Sequence, residues 1–248
     1  MQETLFRLDE ELIRRHGPGG LIEVCWRQWH AERELSARGI HFRSSDPVIC
    51  AAAYAAMSPE EFEAVNGRQD WANWRTIPHG LHGQVPDRPL HVIDLGCGTG
   101  GSTRVLACFC PAGSRIIGYE LTEHLAAIAR QRTYRHHSGA AAPVEFVVQG
   151  VTETLRDPEG APLADGSVDL ANASGVVGHH LTEQTIAPLL AELRRVLKPD
   201  ALVLLDVGPT LGEPELIGLM SAAGFDRLSR QRSSLFDPNG QVAFRRRD

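Results

Sequence analysis

The sequence predicts an α/β protein: a seven-stranded, mostly parallel, doubly wound sheet with an antiparallel C-terminal strand, plus a helical N-terminal cap. Three observations carry this. From Pro89 onward, short apolar β-rich runs alternate with helical stretches, a rhythm that builds parallel sheets. The last two runs are joined by Asp237-Pro238-Asn239-Gly240, a turn sequence that makes the final strand antiparallel. Residues 1 to about 85 read as helical throughout and hold all four Trp. The expected division is a cap over 1–85 and a sheet domain over 86–248.

In the cap, residues 4–16 carry apolar side chains at 5, 6, 8, 12 and 13, and Gly17-Pro18-Gly19-Gly20 then breaks the chain. Residues 21–38 form a second helical pattern. Ser58-Pro59-Glu60-Glu61 starts a third helix, with Ser as N-cap, Pro at the first helical position and Glu three residues after the cap. That helix is expected to run through Phe62 and Val65 toward Trp71 and Trp74 and to stop at Ile77-Pro78-His79-Gly80.

In the sheet domain, strands are expected over 90–95, 115–119, 144–148, 167–173, 201–205, 227–235 and 241–246. Helices are expected over 102–110, 122–133, 185–197 and 213–223. The first strand is apolar on both faces, as suits a strand covered on both sides. The fourth is weakened by Asp169 and Asn172. Pro188 belongs in a first helical turn, and Gly224 is a good C-terminal cap.

Composition bounds the function. The chain has 248 residues, 42% hydrophobic and 23% charged, enough for a self-supporting core. Lys+Arg number 25 against 31 Asp+Glu, a net charge of −6, which argues against a nucleic-acid partner needing a basic face. No run of eighteen apolar residues suggests a membrane span, and the acidic start MQETLFRLDEEL does not read as a signal peptide. Five Cys (25, 50, 97, 108 and 110) lack zinc-ribbon spacing and fit small buried hydrophobes in a reduced, cytoplasmic setting. No metal ligand set is visible. A homodimer stays open.

The informative stretch is Val92-Ile93-Asp94-Leu95-Gly96-Cys97-Gly98-Thr99-Gly100-Gly101, directly after a strand and before a helix. Its glycines let the chain turn tightly and let a ligand approach the backbone, at the carboxyl end of the first strand where open α/β sheets bind ligands. Gly96, Gly98 and Gly101 satisfy the dinucleotide spacing G-x-G-x-x-G, so the glycines alone leave an NAD(P)-dependent oxidoreductase in play. Asp94 and Gly100 pull the other way. Asp94, two residues before the first Gly, can hold an ammonium group or orient the loop.

VIDLGCGTG closely resembles the first motif of the class I S-adenosylmethionine-dependent methyltransferases. The likeness continues over most of 88–248: Gly118-Tyr119-Glu120-Leu121, Val144 to Gly150, Ala164 to Leu170 and Leu193 to Asp200 resemble, in order, the later motif segments. Asp200 stands where a Gly often does. The resemblance implies S-adenosylmethionine as cofactor, with Asp94, Gly96, Cys97, Gly98 and Gly100 around the methionine end. It implies Glu120, followed by Leu121, on the ribose, Gly150 and Val151 beside the adenine, and backbone up to Ser174 near the methionine amino group. Val151 departs from an Asp that many members place on the adenine amino group, which leaves Thr152, Glu153 or backbone for that contact.

The same resemblance puts His179-His180, after the fourth strand, near the transferred methyl group as candidate catalytic residues; the plain alternative is one His packed and the other solvated. Trp71 and Trp74, three apart on a helix, are either core or a roof over the site, with Tyr54, Phe62 and His79 in the same candidate lid. Cys108 and Cys110 read as buried packing, and Arg245 to Arg247 as an exposed end. The acceptor is expected to be a small molecule, since NASG (172–175) lacks the Pro-Pro-aromatic run of enzymes that methylate amide or base nitrogens. A non-catalytic protein that keeps the cofactor site is the other rival.

Overall fold

The computed structural model describes residues 18–44, 46–232 and 240–248. The helix expected over 4–16 and residues 237–239 of the expected turn lie outside them. Four helices come first: α1 (Pro18–Ala37), α2 (Pro47–Ala55), α3 (Pro59–Val65) and α4 (Gly67–Leu81). The sheet part follows as β1 (His91–Leu95), α5 (Gly101–Phe109), β2 (Arg115–Glu120), α6 (Glu123–Gln131), β3 (Val144–Val148) and β4 (Val168–Ala173). It continues with α7 (Val177–His180), α8 (Ala187–Val196), β5 (Leu197–Val207), α9 (Glu213–Ala222), β6 (Phe225–Arg232) and β7 (Gly240–Arg246). No described helix is long and apolar enough to cross a membrane.

The helical region differs from expectation at three points. Pro18 does not break the chain but opens α1, because a proline's fixed φ and missing N–H suit a first helical turn. α2 was not anticipated; Asp46 caps it, its carboxylate accepting from the amides of Val48 (2.8 Å) and Ile49 (3.4 Å). The third helix is two. The Ser58–Glu61 capping box starts α3 as expected, but the chain turns at Asn66 and restarts as α4, which runs through Pro78 to Leu81.

The sheet order is β3-β2-β1-β4-β5-β7-β6. β1 pairs in parallel with β2 and β4, and β7 runs antiparallel between β5 and β6. Alternation along the strands sorts side chains onto two faces. Ile93, Leu95, Ile117, Val203 and Leu205 join a core with α8 and α9. Val92, Ile116, Leu170, Leu202 and Leu204 pack with Val105 and Leu106 of α5 and with Ile77 and Leu81 of α4. The end of α4 thus shares a core with the sheet, and a Cβ on Gly80 would stand 2.8 Å from Leu204.

Polar residues that weaken strand signals are all engaged. Asp169 accepts from Arg88 (2.8 Å), Lys198 (2.9 Å) and the His91 amide (2.9 Å). Asp200 takes a left-handed φ of 60°, the only non-glycine to do so among the described residues, where the β4–β5 register shifts. This gives a geometric reason why a Gly suits that position. Arg245 and Arg246 are not a free tail: both lie half-buried in β7, and Arg245 donates to the carbonyls of Asp200 and Gln84. Cys25 is exposed, against expectation, while Cys50, Cys97, Cys108 and Cys110 are buried free thiols.

Trp71 and Trp74 belong to packing. Trp71 is 7% exposed under a stacked Arg75 guanidinium, and Trp74 meets Phe109 edge-on at 6.2 Å. Trp74→Ala is therefore expected to lower unfolding free energy by about 2 to 3 kcal/mol, below the value for a fully buried Trp because part of the ring is exposed. Urea titration reads the loss, and the cavity described next keeps its ligand affinity in the folded fraction.

Candidate active site

A cavity of about 520 Å³ opens where the strands end, between the helical region and the Gly-rich loop. Sites for small ligands usually fall between about 300 and 1,000 Å³. Its floor follows the strand order: Gly150 and Val151 after β3, Glu120 and Leu121 at β2, Gly96 to Thr99 after β1, and Ser174 to Val176 after β4. Its roof includes Cys50, Tyr54, Phe62, Asn66, Gln69 and Asn73 from α2 to α4.

The loop is built without side chains where it must be. Gly96, Gly98 and Gly100 have φ of 66°, 54° and 85°, a region unfavourable for residues with a Cβ. A Cβ on Gly98 would also stand 2.5 Å from Cζ of Phe62, so the cap ring rests directly on this glycine. Gly100 is not at the cavity: its missing Cβ makes room for the Tyr134 hydroxyl, which donates to Ala129 O at 2.8 Å.

Asp94 does not line the cavity either; of the two roles expected of it, its hydrogen bonds show the one of orienting the loop. It is fully buried, and its carboxylate accepts from Ser102 Oγ (2.7 Å), Thr103 Oγ1 (2.6 Å) and Asn172 Nδ2 (2.7 Å). Burial raises its pKa while those three hydrogen bonds oppose the rise. Its work is to orient the loop and the start of α5. Asn172 Oδ1 in turn accepts from Gln241 Nε2 (2.8 Å), which also donates to Ser174 Oγ (2.8 Å), so one buried polar chain links β1, β4 and β7.

Glu120 is 5% exposed and lines the cavity. Its Oε1 accepts from the Thr122 amide and hydroxyl, both at 2.9 Å, and its Oε2 from the Gly98 amide at 3.0 Å. Burial pushes its pKa up, against the Thr122 and Gly98 hydrogen bonds and nearby His124. Oε2 keeps a lone pair for one more donor. Beside it, Glu153 Oε1 accepts from the Gly150 amide at 3.0 Å, so that N–H is already used.

The two histidines separate. His180 lines the large cavity and His179 does not; both border a small pocket of about 60 Å³ with Gln69, Arg68 and Gly175. Successive residues on a one-turn helix point about 100° apart, so only one of the pair can face the cavity. His180 Nε2 lies 2.9 Å from Tyr54 Oη, and Nδ1 lies 3.3 Å from the Ser44 carbonyl and 3.6 Å from Cys50 Sγ. Burial lowers its pKa despite the Ser44 carbonyl, so the ring is neutral near pH 7. Of the candidate lid, Tyr54 and Phe62 reach the cavity; Trp71, Trp74 and His79 do not line it.

Asp206 was missed by sequence reasoning, although its place after the apolar run of β5 was a signal. It is 2% exposed and accepts three amides, from Val176 (3.1 Å), Val177 (3.0 Å) and Gly178 (2.9 Å). This carboxylate holds the turn that carries His180. Gly178 is needed there because a Cβ would strike the backbone of Val207 and Gly208.

Comparison with known proteins places the sheet domain. A family profile described as "Methyltransferase domain" matches residues 92–200, from the start of β1 to the bulge in β5. This segment belongs to the methyltransferase family. The chain also aligns with curated proteins. These include an uncharacterized 37.1 kDa protein in transposon TN4556 of Streptomyces fradiae, 33% identical over 50% of this chain and 30% of its own length. They also include trans-aconitate 2-methyltransferase of Acidovorax sp. (strain JS42), 32% identical over 51% of this chain and 41% of the relative. The chain therefore spans about a third to two fifths of the length of these relatives. Among solved structures, a magnesium protoporphyrin IX methyltransferase from Synechocystis with bound SAM superposes with TM-score 0.56 at 19% identity, covering 75% of this chain and 83% of that one. A SAM-dependent methyltransferase from Methanosarcina mazei gives 0.54 at 16% identity, covering 67% and 96%. At these identities the likeness is one of fold. The methyltransferase match outweighs the glycine spacing that left a nicotinamide enzyme in play.

Asp206→Ala strips the acceptor from three amides of this domain, two of them buried. It is expected to destabilise the protein by about 3 kcal/mol or more, since each orphaned buried donor costs roughly 1 to 3 kcal/mol. Chemical denaturation measures it, and an unchanged midpoint would show that the His180 turn is held by other means.

Proposed function

We propose that this protein transfers the methyl group of S-adenosylmethionine to a small acceptor molecule by in-line displacement. The carrying observation is the continuous cavity floor across the ends of β3, β2, β1 and β4, with a buried carboxylate at β2 and a side-chain-free loop at β1. Such a floor suits a long ligand with a nucleoside at one end and an amino acid at the other. In this reading Leu121 and Val151 flank the adenine, with Thr152 or backbone for its polar edge. Glu120 Oε2 accepts a ribose hydroxyl. The loop from Gly96 to Gly98 and the backbone near Ser174 run along the methionine end, which Asp94 supports from below. Residues 1–85 serve as the cap and 86–248 as the transfer domain.

When bound, the sulfonium supplies an activated methyl group with its leaving group attached. The chain's own residues align the acceptor and exclude water. Phe62 over Gly98, and the Arg132 guanidinium, which pairs with Glu63 and donates to Thr99 Oγ1 at 3.0 Å, close the roof on the loop. A small acceptor is supported by the size of the cavity beneath this roof, and by the names of relatives such as trans-aconitate 2-methyltransferase. Net charge −6 argues against a nucleic-acid substrate. A cytoplasmic setting fits the five free thiols.

Calorimetric titration with S-adenosylhomocysteine and, separately, NADH tests the reading; binding of NADH alone would overturn it. Mass analysis of a metabolite library incubated with the protein and S-adenosylmethionine then finds the product that gains one methyl group. Glu120→Ala is expected to weaken S-adenosylhomocysteine by roughly 1.5 to 3 kcal/mol, the scale of hydrogen bonds to a charged group. Gly98→Val, which combines a positive φ with a clash at Phe62, is expected to abolish that binding while the sheet stays folded by circular dichroism.

A further inference from the structure

The roof of the cavity holds a phenol and an imidazole in direct contact. Tyr54 comes from α2, His180 from α7, and 126 positions separate them in sequence, yet Oη and Nε2 lie 2.9 Å apart. The direction of the bond follows from the other ring nitrogen. Nδ1 faces the Ser44 carbonyl at 3.3 Å, and a carbonyl can only accept, so Nδ1 carries the proton. Nε2 is then the lone-pair side, and Tyr54 donates to it. Phe62 packs edge-on against Tyr54 at 5.6 Å and itself rests on Gly98, so a single ring lies between the phenol and the loop. Both members of the pair line the cavity.

Resting on the methyl-transfer reading above, we propose that Tyr54 is a catalytic residue that takes the acceptor's proton and passes its own to His180, so that the acceptor is a hydroxyl compound. As the acceptor oxygen bonds to the methyl carbon, the carbon–sulfur bond breaks and its electron pair stays on sulfur. The hydroxyl proton moves to Tyr54 Oη while the Tyr54 proton moves to His180 Nε2. The products are a methyl ether, neutral S-adenosylhomocysteine and a His180 imidazolium that releases its proton to solvent on opening. The positive charge lost from sulfur reappears on the imidazole, so the net charge of the cavity does not change during the step. This offsets the burial that otherwise keeps His180 neutral. Burial also holds the Tyr54 phenol well above its usual range, with Cys50 and Glu120 adding to it, so Tyr54 works as a relay and not as a standing phenolate.

The test does not need the acceptor. Protein with ¹⁵N-labelled histidine is titrated by NMR in complex with S-adenosylhomocysteine and with S-adenosylmethionine. The groups facing the pair are Cys50 and Arg43 from the helical region, Glu120 from β2, Asp206 from β5 and neighbouring His179. They are the same in both complexes, so a difference reports the sulfonium charge. The protonation midpoint of His180 is expected to lie about half a unit or more lower with S-adenosylmethionine, and to rise in both complexes in Tyr54→Phe, which loses the donor to neutral Nε2. Equal midpoints in the two complexes would make the pair a strut remote from the methyl group and overturn the proposal. Failure of either ligand to bind wild-type protein would instead overturn the methyl-transfer reading itself. With the acceptor returned by the library screen, Tyr54→Phe should lower kcat about 100-fold or more, with S-adenosylhomocysteine affinity near wild type. An amine product, or unchanged kcat, would also overturn it.

Discussion

The site depends first on one buried carboxylate. Asp94 stands near the end of β1 and spends its oxygens on Ser102, Thr103 and Asn172. Two of those donors open α5 and the third lies across the sheet on β4. The carboxylate therefore fixes the Gly-rich loop from beneath, at both the point where it leaves β1 and the point where it becomes a helix. A charged or polar group this deep is costly unless its oxygens find donors, and here both do. The chain continues through Asn172 and Gln241 to Ser174, so the loops after β1 and β4 keep a fixed spacing. That spacing sets the width of the cavity.

A second carboxylate does the same for the far wall. Asp206 gathers three amides at the start of α7, and Gly178 lets the turn lie on the end of β5. The result is a one-turn helix with no room to drift, and His180 projects from it toward α2. Thus the two acids that would look most like ligand contacts by type, Asp94 and Asp206, are both internal braces. Of the acids carried by the sheet, the one that lines the cavity is Glu120, itself held by Thr122 and Gly98 with one lone pair to spare.

The helical region is not a loose cover. Ile77 and Leu81 share a core with Val92 and Leu204, and Phe62, Arg132–Glu63 and Tyr54–His180 tie it to the loop and to α7. These ties are a ring contact, an ion pair and a hydrogen bond, each modest in energy and each directly over the cavity. A contact set of this kind can hold a closed state and still release it.

The sequence by itself determined the layout of the sheet and most of the cavity floor. Alternating β-rich runs and helical periods, the Gly-rich turn and the closing hairpin are local signals, and local signals survive without tertiary context. Hence the strands at 91–95, 115–120, 144–148 and 168–173 and the positions of Gly96, Gly98, Glu120 and Gly150 were legible. What tertiary structure decided was direction. Whether Asp94 points to a ligand or into the sheet, which of His179 and His180 faces the cavity, and whether Trp74 is roof or core all turn on helix rotation and on partners far away in the chain. α2 and the break at Asn66 were hidden for a related reason: α2 has too little apolar contrast to show a period, and its orientation is set by Asp46 and by contacts with His180 across 126 or more residues. Side-chain direction is settled by packing and by the need to satisfy buried polar groups, and neither is written in any short stretch of sequence.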